Sequence, residues 1–170
     1  HLSAFTTEDW KDVKRILRYI KGTANIGLLF KAGCDKQQIV VYSDADFAGD
    51  VNSRKSTSGF VLLYGATSIV WGSKRQRIVA LSTMEAEYIA ASQATQEAMW
   101  LHRLGRELVG DMETPILLVD NQSAISFAKN AEVKQRSKHI DVRYHFIRDK
   151  VNSGDVDISY VPTEENAADI

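Results

Sequence analysis

The chain has 170 residues, of which 44% are hydrophobic and 25% are charged, and its formal net charge is −1. These values are ordinary for a soluble globular protein and allow one domain with a small appendage. The single cysteine, Cys34, excludes an internal disulfide framework and a cysteine zinc site, and it favours a reduced, intracellular setting. No apolar run is long enough to span a bilayer, so a membrane partner is not expected.

The first thirty residues are predicted to form a separate piece, made of a helix and a short strand. Thr7 can cap the helix and Gly22 can end it. The apolar positions of this helix recur at helical spacing and are Trp10, Val13, Leu17 and Ile20. The short strand is expected in the apolar run 26–30, and residues 31–38 are predicted as a linker to the second part.

Three strands are predicted at the start of the second part. The first is the β-rich run 39–42, which leads to Asp44, and the other two are the runs 59–64 and 68–71. The short turn at residues 65–67 is a hairpin signal. Because the connections are short, we expect these strands to be antiparallel.

Helices and strands alternate in the rest of the chain. A long helix is predicted from Ser82, which forms a capping box with Glu85, to Gly110. The remaining predicted elements are a strand at 116–119, a short helix at 122–129, a helix that starts near Ser137 and a strand at 156–160. The order βββαβααβ predicts an α/β fold with a mixed five-stranded sheet and helices packed on it.

Four carboxylates are the candidate catalytic and metal-binding residues, namely Asp44, Glu87, Asp120 and Asp169. Asp44 and Asp120 each follow a strand, at the rim of a sheet where ligands collect in α/β folds. For Asp120 the alternative is a helix N-cap. Glu87 is preferred to Glu85, because two positions on a helix differ by about 200° around its axis. The capping box already explains Glu85.

Spacing alone leaves the fourth acid open. Asp169 follows the run VPTEENAA, and Asp46 or Asp50 can take its role. Carboxylate oxygens suit hard cations such as Mg²⁺. Hydrolysis of a phosphodiester can use two such ions about 3.5–4 Å apart. We therefore predict an enzyme that cleaves phosphodiester bonds with two Mg²⁺ ions, for which Mn²⁺ can substitute.

Basic and polar residues flank these acids along the sequence. The polar loop that follows Asp44 offers hydroxyl and amide groups for a ribose 2′-OH, and the basic residues can bind phosphates independently of sequence. The candidate nucleic-acid-binding residues are Arg54, Lys55, Ser56, Lys74, Arg75, Asn121, Gln122, Arg136, Lys138 and His139. The alternative for any one basic residue is a surface charge that serves solubility.

Six segments closely resemble the ribonuclease H domain of copia-type retrotransposon polyproteins. They are YSDADFAGD, RKSTSGFVLLYG, IVWGSKRQRIVALSTMEAEYIA, LLVDNQSAISFAKN, RSKHIDVRYHFIRDKV and ISYVPTEENAADI. The resemblance covers residues 38–170 and implies a ribonuclease H-like fold, with a C-terminal helix truncated at Ile170. The segment TTEDWKDVKRILRYIKGTANIGLLF resembles the C-terminal tail of the preceding reverse transcriptase, which implies a first part at residues 1–31.

Members of this family cleave the RNA strand of an RNA–DNA hybrid with Mg²⁺. The resemblance therefore implies two partners, the hybrid and the reverse transcriptase of the same polyprotein, in a cytoplasmic virus-like particle or the nucleus. The acids that it assigns to the site are Asp44, Glu87, Asp120 and Asp169. Many relatives have a histidine in the loop before the last acid, but the loop 162–166 has none here, and Glu164 or Glu165 can partly substitute.

Two other functions compete with hybrid cleavage. The chain can be a non-catalytic remnant that binds the hybrid, given the missing loop histidine and the chain end at Ile170. It can also be a DNA nuclease or a strand-transfer enzyme of the same fold. The position of Glu87 on the first long helix of the second part argues against this, because such enzymes usually take the last acid from a later helix.

Overall fold

The computed structural model describes residues 5–30, 38–129 and 138–169. Its strands are β1 (Gln38–Asp46), β2 (Thr57–Tyr64), β3 (Thr67–Arg75), β4 (Glu113–Val119) and β5 (Asp157–Tyr160). Its helices are α1 (Thr7–Gly22), α2 (Thr83–Val109), α3 (Gln122–Lys129) and α4 (Lys138–Asn152), and a short 3₁₀ helix spans Thr163–Glu165. The strands form one five-stranded sheet in the order β3-β2-β1-β4-β5.

The sheet is mixed, as the sequence predicts. β1 pairs antiparallel with β2, and β2 pairs antiparallel with β3. β4 runs parallel to both β1 and β5. The β2–β3 turn has positive φ at Gly65 (58°) and Ala66 (64°), which is the backbone of the two-residue hairpin turns that match strand twist. The element order βββαβααβ of the second part is confirmed.

Helix α2 holds the core against the sheet. It contacts β1, β2 and β4, and it also packs on α4. Its buried face carries Ala91, Ala94 and Ala98, whose small side chains allow a close approach to the strands. Val41 and Leu117, from the two central strands, are fully buried in the same cluster. Truncation of Leu117 to alanine is expected to cost about 2–5 kcal/mol.

The first part of the chain is a helix with an open apolar face. Thr6, rather than Thr7, is the N-cap of α1: its Oγ1 accepts from the Asp9 N–H at 3.2 Å, and Asp9 Oδ2 accepts from the Thr6 N–H at 2.6 Å. No residue of α1 is buried. The strand predicted at 26–30 is not formed, and Leu29 O instead accepts a bond from Thr67 Oγ1 at 2.7 Å.

Among the described residues, no helix has both the length and the apolar character that a membrane span requires.

Two boundaries of the second part bear on the site. β1 continues two residues past Asp44, to Asp46, where it still pairs with Thr57. Asp46 therefore lies on the same strand face as Asp44. The predicted start of α4 near Ser137 lies outside the described residues.

Candidate metal centre

Two of the acids come from adjacent parallel strands. In the β1–β4 register, Tyr42 lies opposite Leu118. Asp44 and Asp120 each lie two residues further along, so the same register places them side by side at the carboxyl ends of the two strands. Neighbouring strands are about 4.8 Å apart. The parallel pairing of β1 and β4 therefore brings together two carboxylates that are distant in sequence.

The third acid comes from the first turns of α2. Ser82 caps this helix, with its Oγ accepting from the Glu85 N–H at 3.2 Å. The carboxylate of Glu85 turns back to accept from the Leu81 N–H at 2.9 Å, instead of from the Ser82 N–H that a capping box would use. Glu87 lies on another side of the helix and is 7% exposed. The local structure of the helix start thus separates the two glutamates.

Asp44, Glu87 and Asp120 form one group, in which a carboxylate oxygen of each lies within 4.8 Å of the others. Burial raises the pKa of Glu87 to about 8, with further contributions from the charges of Asp44 and Asp120. Burial also raises the pKa of Asp44, and the charges of Asp120, Asp169 and Asp46 act in the same direction. The Ala45 N–H opposes both shifts.

This donor set fits a divalent cation. Three carboxylates at such short range repel one another when ionised, and a cation between them removes that repulsion. The donors are all oxygens, which suits Mg²⁺ and Mn²⁺ better than zinc or copper. Asp120 is also oriented by Thr163, whose Oγ1 donates to its Oδ2 at 3.1 Å.

The fourth predicted acid lies beside this group but not in it. Asp169 is exposed, and its charge reaches Asp44 strongly enough to raise the pKa of that carboxyl. Its backbone N–H donates to Asn166 O at 3.1 Å. Asp46, one of the two alternatives, also raises the pKa of Asp44 but is exposed and lies outside the group.

Asp50, the other alternative, binds groups of its own loop and Arg75. Its Oδ1 accepts from the N–H groups of Asn52 and Ser53 at 3.0 and 2.7 Å, and its Oδ2 forms an ion pair with Arg75. These bonds, above all the one from the Ser53 N–H, lower the pKa of Asp50 to about 2. Asp50 shapes the loop after β1 and is not a further ligand of the group.

Some of the predicted nucleic-acid-binding residues are exposed, whereas others are buried or cap a helix. Arg54 and Gln122 are exposed, and Lys55 is half-buried. The prediction for Ser56 is wrong, because this side chain is fully buried and its Oγ accepts from the Ala48 N–H at 3.0 Å. Asn121 caps α3, with its Oδ1 accepting from the Ala124 N–H at 3.1 Å.

The remaining predicted contacts are only partly visible. Arg136 lies outside the described residues, and only the backbone of Lys138 and His139, in the first turn of α4, is described. Lys74 and Arg75 are exposed at the end of β3.

Lys74 and Arg75 lie at the edge of a cleft that the sequence did not reveal. This basic cleft, of about 230 Å³, is lined by Lys74, Arg75, Arg77, Ile89, Ser92, Gln93, Gln96 and Arg143. The Nη1 atom of Arg143 is buried and has no hydrogen-bond partner within the described ranges. Asp44 pairs with Gly59, and Gly59 pairs with Ser73, next to Lys74. Two strand spacings, about 10 Å, therefore separate the acids from this edge.

Comparisons with known proteins identify relatives of the chain. No protein-family model matches the chain. It is 44% identical over 163 residues to the retrovirus-related Pol polyprotein from transposon TNT 1-94 of Nicotiana tabacum. It is 37% identical over 165 residues to that from transposon RE2 of Arabidopsis thaliana. Each match covers 96% of the chain, which spans only 12% and 11% of these two relatives.

Solved structures show the same fold. LC11-RNase H1, isolated from compost, superposes with a TM-score of 0.59 at 20% identity, over 78% of the chain and 91% of that protein. The foamy viral protease-reverse transcriptase in complex with RNA/DNA hybrid superposes with a TM-score of 0.54 at 16% identity, over 85% of the chain and 20% of that protein. The prediction of a ribonuclease H-like fold is confirmed. Over 96% of its length the chain is similar to a segment of copia-type retrotransposon Pol polyproteins, and its fold is ribonuclease H-like.

Proposed function

We propose that this segment hydrolyses the RNA strand of RNA–DNA hybrids with divalent cations, as the ribonuclease H of a copia-type Pol polyprotein. The observation that carries the proposal is the convergence of Asp44, Glu87 and Asp120 within 4.8 Å of one another. The three residues come from two strands and a helix that are far apart in sequence. In a Pol segment with this fold, a nuclease site explains that convergence better than a structural role does.

The residues of the site divide the work of holding and orienting. Asp44, Glu87 and Asp120 would hold Mg²⁺ or Mn²⁺, with Asp169 beside them. When bound, a pair of such ions supplies Lewis acidity for the attacking water and for the leaving 3′-oxygen. Thr163 orients the Asp120 carboxylate. The Ala45 N–H lowers the pKa of both Asp44 and Glu87, which favours their ionised forms.

The basic cleft supports a nucleic-acid substrate. In the described part of the chain, neither Lys74 nor Arg77 nor Arg143 is paired with a carboxylate. Unpaired cations in this cleft can bind phosphates while the scissile bond lies at the acids. LC11-RNase H1 has also been solved in complex with RNA/DNA hybrid, and that structure superposes with a TM-score of 0.53 at 22% identity. The hybrid is therefore the substrate that we propose here.

The first part of the chain fits a role in the longer polyprotein. Trp10, Leu17 and Ile20 on the apolar face of α1 are 54–57% exposed. We propose that residues 1–31 belong to the reverse transcriptase, whose remainder covers this face. The chain spans only 12% and 11% of two related Pol polyproteins, so a longer polyprotein has room for the rest of the reverse transcriptase.

Strand-specific cleavage is the test. The intact chain is incubated with an RNA–DNA hybrid labelled on either strand, with an RNA duplex and with a DNA duplex. We expect Mg²⁺-dependent nicks in the RNA strand of the hybrid alone. Asp44→Asn should abolish them, whereas Asp157→Asn, an exposed carboxylate at the start of β5, should not. Cleavage of the DNA duplex would refute the proposal, and hybrid binding without cleavage in Mg²⁺ or Mn²⁺ would select the non-catalytic alternative.

A further inference from the structure

A buried asparagine joins the last described segment to the central strand. Asn166 is 6% exposed, and its Nδ2 donates to Ser43 O at 3.1 Å across 123 residues of sequence. Ser43 directly precedes Asp44 and is fully buried. Asn166 therefore attaches its own segment to β1 one residue away from an acid of the metal centre.

The two ends of the Asn166 side chain have partners of opposite kind. Nδ2 faces a carbonyl oxygen, which accepts only, while Oδ1 accepts from the Ala168 N–H at 3.1 Å. The backbone oxygen of Asn166 accepts from the Asp169 N–H at 3.1 Å. Asn166 thus binds β1 through its amide nitrogen. Its two oxygens bind the backbone of Ala168 and Asp169. Aspartate has the same shape but cannot donate to Ser43 O.

Other hydrogen bonds hold the earlier residues of this segment, whereas Asp169 is held by its bond to Asn166. The Val161 N–H donates to Val119 O at 3.0 Å, and Thr163 Oγ1 donates to Asp120. The Asn166 N–H donates to Thr163 O at 3.0 Å. These bonds tie the segment to β4 and its end. The side chain of Asn166 supplies the tie to β1, which is the strand of Asp44.

We propose that Asn166 is a positioning residue that holds Asp169 beside Asp44 and so completes the metal centre with a fourth carboxylate. This rests on the proposed function only in that Asp169 serves as a cation ligand. Asp169 is exposed, so without this tie its carboxylate has no buried anchor. Mutation of a residue that hydrogen-bonds to a metal ligand typically lowers metal affinity by about 10- to 100-fold. We expect a loss of this size when Asn166 is replaced.

Calorimetric titration with Mn²⁺ tests this proposal without any need for cleavage. We expect Asn166→Ala and Asn166→Asp to weaken Mn²⁺ binding by about 10- to 100-fold. Asn152→Ala, which removes an exposed amide at the end of α4, should leave it unchanged. In an Asp169→Asn background, Asn166→Ala should cause no further loss, because the two residues act on one ligand. A merely structural role would weaken both backgrounds alike.

The outcomes separate this proposal from the proposed function. Equal losses in both backgrounds, unchanged binding by Asn166→Ala, or wild-type binding by Asp169→Asn would each overturn the positioning role. If the wild-type chain binds Mn²⁺ with the expected variant pattern but never cleaves hybrid, the positioning role stands and the nuclease function falls. If the wild type cleaves and Asn166→Ala needs no more Mg²⁺ than the wild type does, only the positioning role falls.

Discussion

The buried carboxyl of Glu87 should make the stability of the protein strongly dependent on pH and on divalent cations. Its pKa lies at about 8 in the folded chain and at the ordinary value of 4.5 when unfolded. Because the folded pKa is the higher one, the folded state keeps a proton that the unfolded state releases between these two values. In a chelator, the stability is therefore full below about pH 4.5 and falls until about pH 8.

The size of this loss follows from the shift. A tenfold difference in proton affinity is worth about 1.4 kcal/mol, so the shift corresponds to a ceiling on the order of 5 kcal/mol. Coupling to the nearby Asp44 and Asp120 makes the figure a ceiling for Glu87 alone. A denaturant slope of about 1–3 kcal/mol per molar urea converts this ceiling to a lowering of the urea midpoint by at most roughly 2–5 M.

Urea unfolding between pH 5 and pH 9 in EDTA measures the effect. Glu87→Gln should remove most of the pH dependence, because glutamine cannot ionise. Glu85→Gln, a buried position on the same helix whose carboxylate accepts from Leu81, should keep it. Saturating Mg²⁺ should abolish the loss for the wild type, because a cation offsets the buried charges. A wild-type midpoint in EDTA that changes with pH no more than that of Glu87→Gln would mean that Glu87 does not keep its proton in the folded state.

Further predictions concern the basic cleft, the structural role of the buried Ser56 and the exposure of α1. Arg77→Ala in the basic cleft should weaken hybrid binding and lower the salt slope by about 1, measured by fluorescence anisotropy, whereas Arg106→Ala should not. Ser56→Ala should destabilise the chain by about 1–3 kcal/mol in urea and leave hybrid affinity unchanged, and a loss of affinity alone would contradict its structural role. Leu17→Ala should leave the unfolding midpoint unchanged, whereas the fully buried Leu62→Ala should cost about 2–5 kcal/mol, and equal losses would show that α1 is packed.

The strands and helices of the second part, and their order along the chain, could be predicted because their signals are local. Runs of β-branched residues, the turn at 65–67 and the helical spacing after Ser82 each depend on a few neighbouring residues. The strand predicted at 26–30 failed for the opposite reason. An apolar run forms a strand only when another strand pairs with it, and within the described residues these five have no such partner.

The preference for Glu87 over Glu85 rests on helix geometry and on the capping role expected for Glu85, and the structure groups Glu87 with Asp44 and Asp120. The two side chains differ by about 200° around the helix axis, so only one can face the ends of β1 and β4. The reach of Glu85 to the Leu81 N–H was not predicted, but it leads to the same separation. The geometry of a regular element can thus be worked out from spacing even where the individual bonds cannot.

What sequence could not provide are contacts between distant residues. The ion pair of Arg75 with Asp50 joins residues 25 apart, and the tie of Asn166 to Ser43 joins residues 123 apart. The burial of Ser56 depends on how the loop after β1 folds back onto it. The approach of Arg143 to Lys74 and Arg77 depends on the packing of α4 against α2. None of these leaves a periodic trace in the sequence.

The proposed nuclease activity requires that Asp44, Glu87 and Asp120 bind divalent cations together. Anomalous diffraction from a crystal grown with Mn²⁺ can locate such a cation, since the signal marks the ion itself. We predict a manganese peak in coordination contact with all three carboxylates, and no such peak in Asp44→Asn. A clear wild-type map with no manganese at these side chains, or with manganese only elsewhere, would mean that the three carboxylates do not form a metal site.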